Sequence, residues 1–328
     1  MFNWKKWTRA AAIVGLALSV GLTAGCGGDK AQDNGKKIKI GVVQLVEHAA
    51  LDAANKGFVD GLASKGYKDN VVFDQQNAQA DQSNLQNIGQ RFVNNNVDLI
   101  CAIATPAAQT VANLTQNIPI VATAVTDYEE AKLVKSNEKP GGNVTGTTDM
   151  NPIEQQIDLL LRFVPNAKTI GIIYCSSEVN SQKQADIMKK YTESKGIRVL
   201  EATVSTVNDI QQAAQSLVGK VDGLYVPTDN ILASAAPTLA SITIPAKLPV
   251  VCGEANVVKE CGVATIGIDY YKLGFQTGEM AADILSGKAK PADMPIQSQL
   301  EMTLTINEDY AKQIGIEIPQ DIKEKAAK

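Results

Sequence analysis

The sequence predicts an α/β protein of two Rossmann-like lobes, each built on a parallel sheet, and three observations carry that expectation. At 328 residues the chain is two to three times the length of a usual domain. Short β-branched runs alternate with amphipathic stretches that end in glycine, the pattern of parallel strands with helices on both faces. The pattern also occurs twice. Ile40-Gly41-Val42-Val43 returns as Ile170-Gly171-Ile172-Ile173, and Lys65-Gly66-Tyr67 as Lys195-Gly196-Ile197, each 130 residues on. Leu85 to Asp98 returns as Ile210 to Asp222, and Ile118-Pro119-Ile120-Val121 as Leu248-Pro249-Val250-Val251. Four matches in one order read as a duplication, one lobe per copy.

Ahead of the duplication, Lys5, Lys6 and Arg9 precede an uncharged, mostly apolar run from Ala10 to Ala24. At 15 residues this run falls short of the ~20 a membrane-spanning helix needs, so residues 1–25 read as a signal peptide. It ends in Leu22-Thr23-Ala24-Gly25-Cys26, which resembles a bacterial lipobox and makes Cys26 the expected lipidation site. Thr23 stands where leucine is more usual, and an ordinary secretory signal is the competing reading. Cleavage removes three cations and no acid, leaving 28 basic against 35 acidic side chains. Residues 26–37 are polar and glycine-containing, a tether spanning roughly 20 Å. These features place the folded part on the extracytoplasmic face of the cell membrane, lipid-anchored.

Each copy begins with a short strand and a helix. In the first, Ala53, Phe58, Val59 and Leu62 form the apolar face, and Gly66 stops the helix where a left-handed residue costs glycine least. Lys139-Pro140-Gly141-Gly142-Asn143 is a turn-rich stretch that closes the first cycle. The tail adds a strand at Val263 to Ile268, a helix from Gly274 to Leu285, a strand from Leu300 to Ile306 and a short terminal helix. A chain that crosses back between lobes accounts for these surplus elements. Lobe 1 is expected over 38–147 plus 270–297 and lobe 2 over 148–269 plus 298–328, with hinges near 145–152, 267–271 and 295–301.

Composition excludes several classes. A net charge of −4 with no basic stripe disfavours nucleic acid. The single histidine, His48, argues against a histidine-rich metal site; it could touch a ligand, although a lone loop histidine is more often a surface or capping group. Five cysteines include no CxxC; Cys252 and Cys261 could pair outside the cell or remain buried thiols. GxSxG, Walker, HExxH and GxGxxG motifs do not occur, so no catalytic residue, metal or cofactor is expected.

In open parallel sheets, ligands bind beyond the carboxyl ends of the strands. The loops expected there supply Gln44, Glu47, Thr105, Ala107 and Asp127 in lobe 1, and Asn180, Asp229, Asn230, Glu254 and Asp269 in lobe 2. Lobe 1 thus offers small residues at helix N-termini, which favour a carboxylate, whereas lobe 2 offers acids that can accept from an ammonium group. The arrangement suits a zwitterion. The competing reading is that Thr105, Asp229 and Asn230 simply cap helices and that Glu254 and Asp269 are solvated strand-end acids. Tyr128, Tyr174, Tyr270 and Tyr271 also fall near strand ends, where each could stack on a ligand ring or pack within its own lobe. A secreted hydrolase using Asp229 and Glu254 as acid and base is the enzyme alternative.

The segments VEHAALDAANKGFVDGL, IATPAAQTVANLTQNIPIVATAVTD, YVPTDN and GIDYYKLGFQTGEMAADIL resemble the ABC-transporter substrate-binding lipoproteins of the tryptophan/tyrosine type, from about Ile38 to Ile318. The resemblance implies a type I periplasmic-binding-protein fold with three hinge crossovers and a non-enzymatic role. In that role the chain captures a small solute, an aromatic amino acid foremost, and delivers it to an ABC permease and its ATPase. A branched-chain amino acid or another small polar solute is the alternative ligand. The other expected partner is the membrane, through the lipid; the chain is expected to act as a monomer.

Overall fold

The computed structural model describes residues 37–326; the signal peptide, Cys26 and all of the tether but Lys37 lie outside the described residues. The first cycle runs β1 (Ile38–Gln44), α1 (Ala49–Ser64), β2 (Val71–Asn77), α2 (Gln82–Asn94), β3 (Leu99–Ile103), α3 (Thr105–Leu114), β4 (Ile120–Val125) and β5 (Val144–Thr148). The second runs α4 (Ile153–Phe163), β6 (Thr169–Cys175), α5 (Val179–Ser194), β7 (Arg198–Val204), α6 (Ile210–Leu217), β8 (Gly223–Val226), α7 (Asn230–Ser234), α8 (Ala236–Thr243), β9 (Val250–Cys252), α9 (Ala255–Cys261) and β10 (Ala264–Gly267). The tail forms α10 (Tyr270–Leu285), β11 (Gln297–Ser298), β12 (Thr303–Ile306), α11 (Glu308–Ile314) and α12 (Gln320–Ala326).

Two six-stranded sheets result, in the orders β11-β5-β4-β3-β1-β2 and β12-β10-β9-β8-β6-β7. The duplication is visible in the topology, because β1 to β5 occupy the same places in one sheet as β6 to β10 in the other. All pairings are parallel except β10 with β12. Strands β3, β4, β6, β8 and β9 are buried along their whole length, as apolar parallel strands covered by helices on both faces must be. The edge strands β2 and β7 instead carry polar, exposed positions. Each sheet has its own apolar core.

Helix α10, from the tail, packs against α1 through glycines. Gly57 and Gly61 on α1 and Gly274 and Gly278 on α10 are each four apart, on one face of their helix. A Cβ at Gly274 would lie 1.9 Å from the Ala54 carbonyl oxygen, and one at Gly57 2.1 Å from that of Tyr271. The two backbones therefore approach as closely as glycine permits.

The chain passes between the sheets three times, at residues 149–152, 268–269 and 299–302. These passages are tied together. Buried Asp149 accepts from the Thr126 hydroxyl and the Tyr270 hydroxyl, both at 2.8 Å. Asn151 accepts from the Ile268 N–H (3.2 Å) and donates to Thr228 Oγ1 (3.3 Å). Gln299 accepts from the Asp269 N–H at 3.1 Å. The strand expected from Leu300 begins only at Thr303; Leu300 lies on the third passage, 94% exposed, where no neighbouring strand can pair it. Cys252 and Cys261 are both free and buried, so the structure holds the thiol form of that pair.

Candidate functional site

The strand order decides which loops meet. In each sheet the order reverses beside the first strand of its cycle, between β1 and β3 and between β6 and β8. Such a switch point leaves a crevice at the carboxyl ends of the two diverging strands. The loops there are 45–48 and Ala104–Pro106 in the first lobe, and 176–178 and 227–229 in the second. Between them lies a cavity of about 300 Å³, lined from one side by Leu45, Leu85 and Pro106 and from the other by Ser177, Glu178 and Ile231, with Ser205 and Gln82 as further polar lining. This is the low end of the size range of small-molecule sites.

The second lobe's contribution is acidic. Glu178 is the N-cap of α5 yet makes no side-chain cap; it is 5% exposed, and its Oε2 accepts from the Asn230 amide at 2.6 Å and the Asn180 amide at 3.0 Å. Asp229, equally buried, accepts from the Cys175 N–H (2.6 Å) and, capping α7, from the Leu232 N–H (2.9 Å). Burial, and then the charge of Asp229, pushes the Glu178 carboxyl up to about 8. Burial likewise raises Asp229 above the usual carboxylate range. Among the described residues neither acid has a cationic partner. The Asn180 Oδ1, also buried, has no partner.

The first lobe's contribution is a helix N-terminus. Ala104 precedes α3 with φ +87° and ψ 153°, a region an L-residue seldom enters and that costs of order 1–3 kcal/mol. That turn brings the start of α3 to the cavity, where Pro106 forms wall. The N–H groups of Thr105 and Ala107 belong to the first helical turn, which has no acceptors of its own. The Thr105 hydroxyl is buried without a partner. A helix N-terminus favours an anion, and the buried carboxylates of the second lobe a cation.

The remaining expected residues fall elsewhere. Gln44 braces α1, donating to Val46 O (3.0 Å) and Asp52 Oδ1 (2.6 Å). Glu47 is exposed. Asp127 accepts from the N–H groups of Glu129 and Glu130, and Lys183 on α5 reaches across the cleft to Asp127 (3.5 Å) and Glu130 (3.2 Å). Glu254 caps α9 and Asp269 caps α10; both line a different cavity, of about 270 Å³, with Tyr270, Tyr271 and Thr303. Burial pushes Glu254 up to about 7 there. A third cavity, of about 300 Å³, lies between Glu130 of the first lobe and α5 of the second, around Lys183 and Asp186. Neither of these two lies at a switch point.

The four tyrosines are core or surface residues and none lines the cleft cavity. The Tyr128 hydroxyl donates to the Ala122 carbonyl (2.8 Å), that of Tyr174 to Glu201 (3.1 Å), that of Tyr270 to Asp149, and that of Tyr271 to Asp60 (3.0 Å). The walls are aliphatic instead. Glu178, not among the expected site residues, lines the cavity, and His48 stands near it without lining it. His48 Nε2 lies 3.4 Å from Asn230 Oδ1 across the cleft. Among the described residues no group of three His, Cys, Asp or Glu side chains is placed to hold a metal ion.

Comparison with known proteins agrees with this architecture. Residues 39–328 match the family described as ABC transporter substrate binding protein. A tyrosine-binding protein of Clostridioides difficile is 43% identical over 94% of this chain and 91% of its own length. The structure of an ABC domain in complex with L-Trp from Streptococcus pneumonia superposes with a TM-score of 0.85 at 42% identity, covering 88% of this chain and 98% of that one. The ligand-free, open structure of a substrate-binding protein with adhesive properties from Clostridium difficile gives 0.67 at 46% identity, covering 87% and 97%. With a family match over nearly the whole chain and two switch-point crevices facing one cavity, the protein belongs to the ABC transporter substrate-binding proteins.

Proposed function

We propose that this protein captures an aromatic amino acid in the interlobe cleft and hands it on unchanged to an ABC permease and its ATPase. The observation that carries the reading is a buried carboxylate, Glu178, lining one cavity with Pro106 at the N-terminus of α3, while a second buried carboxylate, Asp229, caps α7 in the same lobe. Buried charge is costly unless paired, and a zwitterion supplies both missing partners at once. Its ammonium would meet Glu178, Asp229 and Asn180, and its carboxylate the N–H groups and hydroxyl at Thr105 to Ala107. The relatives that bind tyrosine and L-Trp support an aromatic side chain. The better superposition on the L-Trp complex than on the open form, despite lower identity to the former, supports a lobe arrangement of the ligand-holding kind.

The aliphatic walls formed by Leu45, Leu85, Pro106 and Ile231 favour one second reading, a branched-chain amino acid. A thermal-shift screen of the twenty amino acids with sugars and nucleosides separates the two. L-tyrosine or L-tryptophan is expected to raise the melting temperature, a ligand at 100 times its Kd contributing about 2.7 kcal/mol. Mass spectrometry should recover it unaltered after hours, whereas a new product would point to a hydrolase. A response to leucine, isoleucine and valine alone would install the second reading, and a response to sugars alone would remove the amino-acid one.

We further read the chain as a monomer anchored by lipid at Cys26 on the extracytoplasmic face. No helix among the described residues is long and apolar enough to cross a membrane. Radiolabelled palmitate should enter the wild-type protein in cells and not the Cys26→Ala variant; release of unlabelled, cleaved wild-type protein would instead show a plain secretory signal.

A further inference from the structure

The duplication places two residues at equivalent positions on opposite sides of the cleft. His48 is the N-cap of α1 and Glu178 that of α5, 130 residues apart, and both helices are 16 residues long. An N-cap side chain ordinarily accepts from its own first turn. Neither of these does; both turn to a third residue, Asn230. Asn230 donates its amide to Glu178 Oε2 at 2.6 Å, so the oxygen it presents to His48 Nε2 can only accept. His48 must then carry a proton on Nε2. Burial pushes its pKa down to about 4, against smaller upward pulls from Asn230 and Asp52, so the ring is neutral near pH 7. A neutral imidazole protonated at Nε2 leaves Nδ1 an acceptor. Part of the ring keeps some exposure, but Nδ1 itself is sealed from solvent and no protein group donates to it.

We propose that His48 is a ligand-contacting residue, its Nδ1 accepting a hydrogen bond from the ammonium group that Glu178 and Asp229 hold from the other lobe. The inference rests on the amino-acid reading and extends it. The acids need a cation, whereas Nδ1 needs only a donor, and an ammonium has three N–H groups to share among them. Because His48 belongs to the first lobe and its partners to the second, this contact forms only with the lobes together, so His48 ties recognition of the amino group to closure.

His48 is the only histidine in the chain, which makes the test unambiguous. Protein labelled with ¹⁵N-histidine and purified without a polyhistidine tag gives one pair of ring nitrogen signals. The expected spectrum shows the Nε2–H form, unchanged between pH 5.5 and 8. The Nδ1 signal should move upfield on saturation with L-tyrosine, or with whichever amino acid the screen selects. His48→Ala should weaken that ligand about ten- to a hundredfold, the usual range for losing one charge-assisted hydrogen bond. His48→Gln, which keeps a donor for Asn230 and an acceptor beside it, should recover much of the loss. An Nδ1–H form, titration near 6.5, or an Nδ1 signal that ignores a bound amino acid overturns the role of His48 while leaving the amino-acid site standing. Binding of no amino acid at all removes both.

Discussion

Glu178→Gln is expected to weaken binding of L-tyrosine or L-tryptophan by at least ten- to a hundredfold, while Glu254→Gln leaves affinity unchanged. Both residues are buried acids at helix N-caps after a strand, and sequence alone ranks Glu254 above Glu178. The structure separates them. Glu254 accepts from the N–H groups of its own helix, Asn256 at 2.7 Å and Val257 at 3.0 Å, and lines the cavity beside Tyr270. Glu178 leaves its helix uncapped and lines the cleft. Replacing it with an amide keeps shape and removes the charge, so the loss should approach that of a charge-assisted hydrogen bond, about 1.5–3 kcal/mol. Asp229→Asn is expected to weaken binding too, but it also turns an amide against the Cys175 N–H and so costs stability. Calorimetry on each variant checks this; equal losses at 178 and 254, or none at 178, would place the ammonium elsewhere.

The same substitution changes how the ligand-free protein responds to pH. Glu178 holds its proton up to about 8 in the folded state, against an ordinary value of 4.5. Between those values the folded protein keeps a proton that the unfolded chain has released. The stabilising contribution is therefore complete below 4.5 and is lost as pH rises through about 8, at up to ~1.4 kcal/mol per pH unit. Asp149, Asp229 and Glu254 are raised by burial and act in the same direction. Scanning calorimetry should show the melting temperature falling from pH 5.5 to 8. Glu178→Gln should flatten the slope without abolishing it, and saturating ligand should flatten it in the wild type by giving the carboxylate its cation.

The fold was legible because its signals are local or periodic. β-branched runs mark the buried strands, Gly66 at φ +91° marks a helix stop, and the 130-residue offset marks two equivalent sheets. The site was only half legible, for a definite reason. Sequence places residues at strand ends but does not say which strands flank a switch point. Asp229 and Asn230 follow β8 and Thr105 follows β3, both beside the reversal, whereas Glu254 and Asp269 follow β9 and β10, away from it. Identical chemistry at the same kind of position thus ends beside the switch point in one case and away from it in the other. Glu178 and His48 were readable in principle, since the offset that matches Gly41 to Gly171 also matches these two. What hid them is that glutamate and histidine at an N-cap are unremarkable until a residue far along the chain, Asn230, is seen between them. Tyrosines near strand ends misled for the opposite reason: their hydroxyls find partners in the core or on the surface, which no spacing reveals.

Gly274→Leu is expected to cost about 3 kcal/mol or more, lowering the melting temperature by roughly 6–12 °C and in the extreme preventing folding. Four glycines within two helices forfeit about 1 kcal/mol each in helix propensity relative to alanine. The chain tolerates this because α10 must lie against α1 at backbone distance. At Gly274 the added carbon would sit 1.9 Å from the Ala54 carbonyl oxygen and at Gly278 2.3 Å from that of Phe58, well inside contact distance with atoms that cannot rotate away. Gly57 and Gly61 meet Tyr271 and Phe275 in the same manner, so the interface is reciprocal and the helices must separate as units. Separation would open the packing of Phe58, Leu62 and Leu273, all 0% exposed. It would also displace Tyr270, whose hydroxyl binds Asp149 at the first passage between the sheets. Even Gly274→Ala should be costly, whereas Gly196→Ala, at a left-handed helix end with nothing within 4 Å, should cost only about 1 kcal/mol. Thermal unfolding of the three variants checks the ranking; a Gly274→Ala protein as stable as wild type would mean that the two helices do not meet at these glycines.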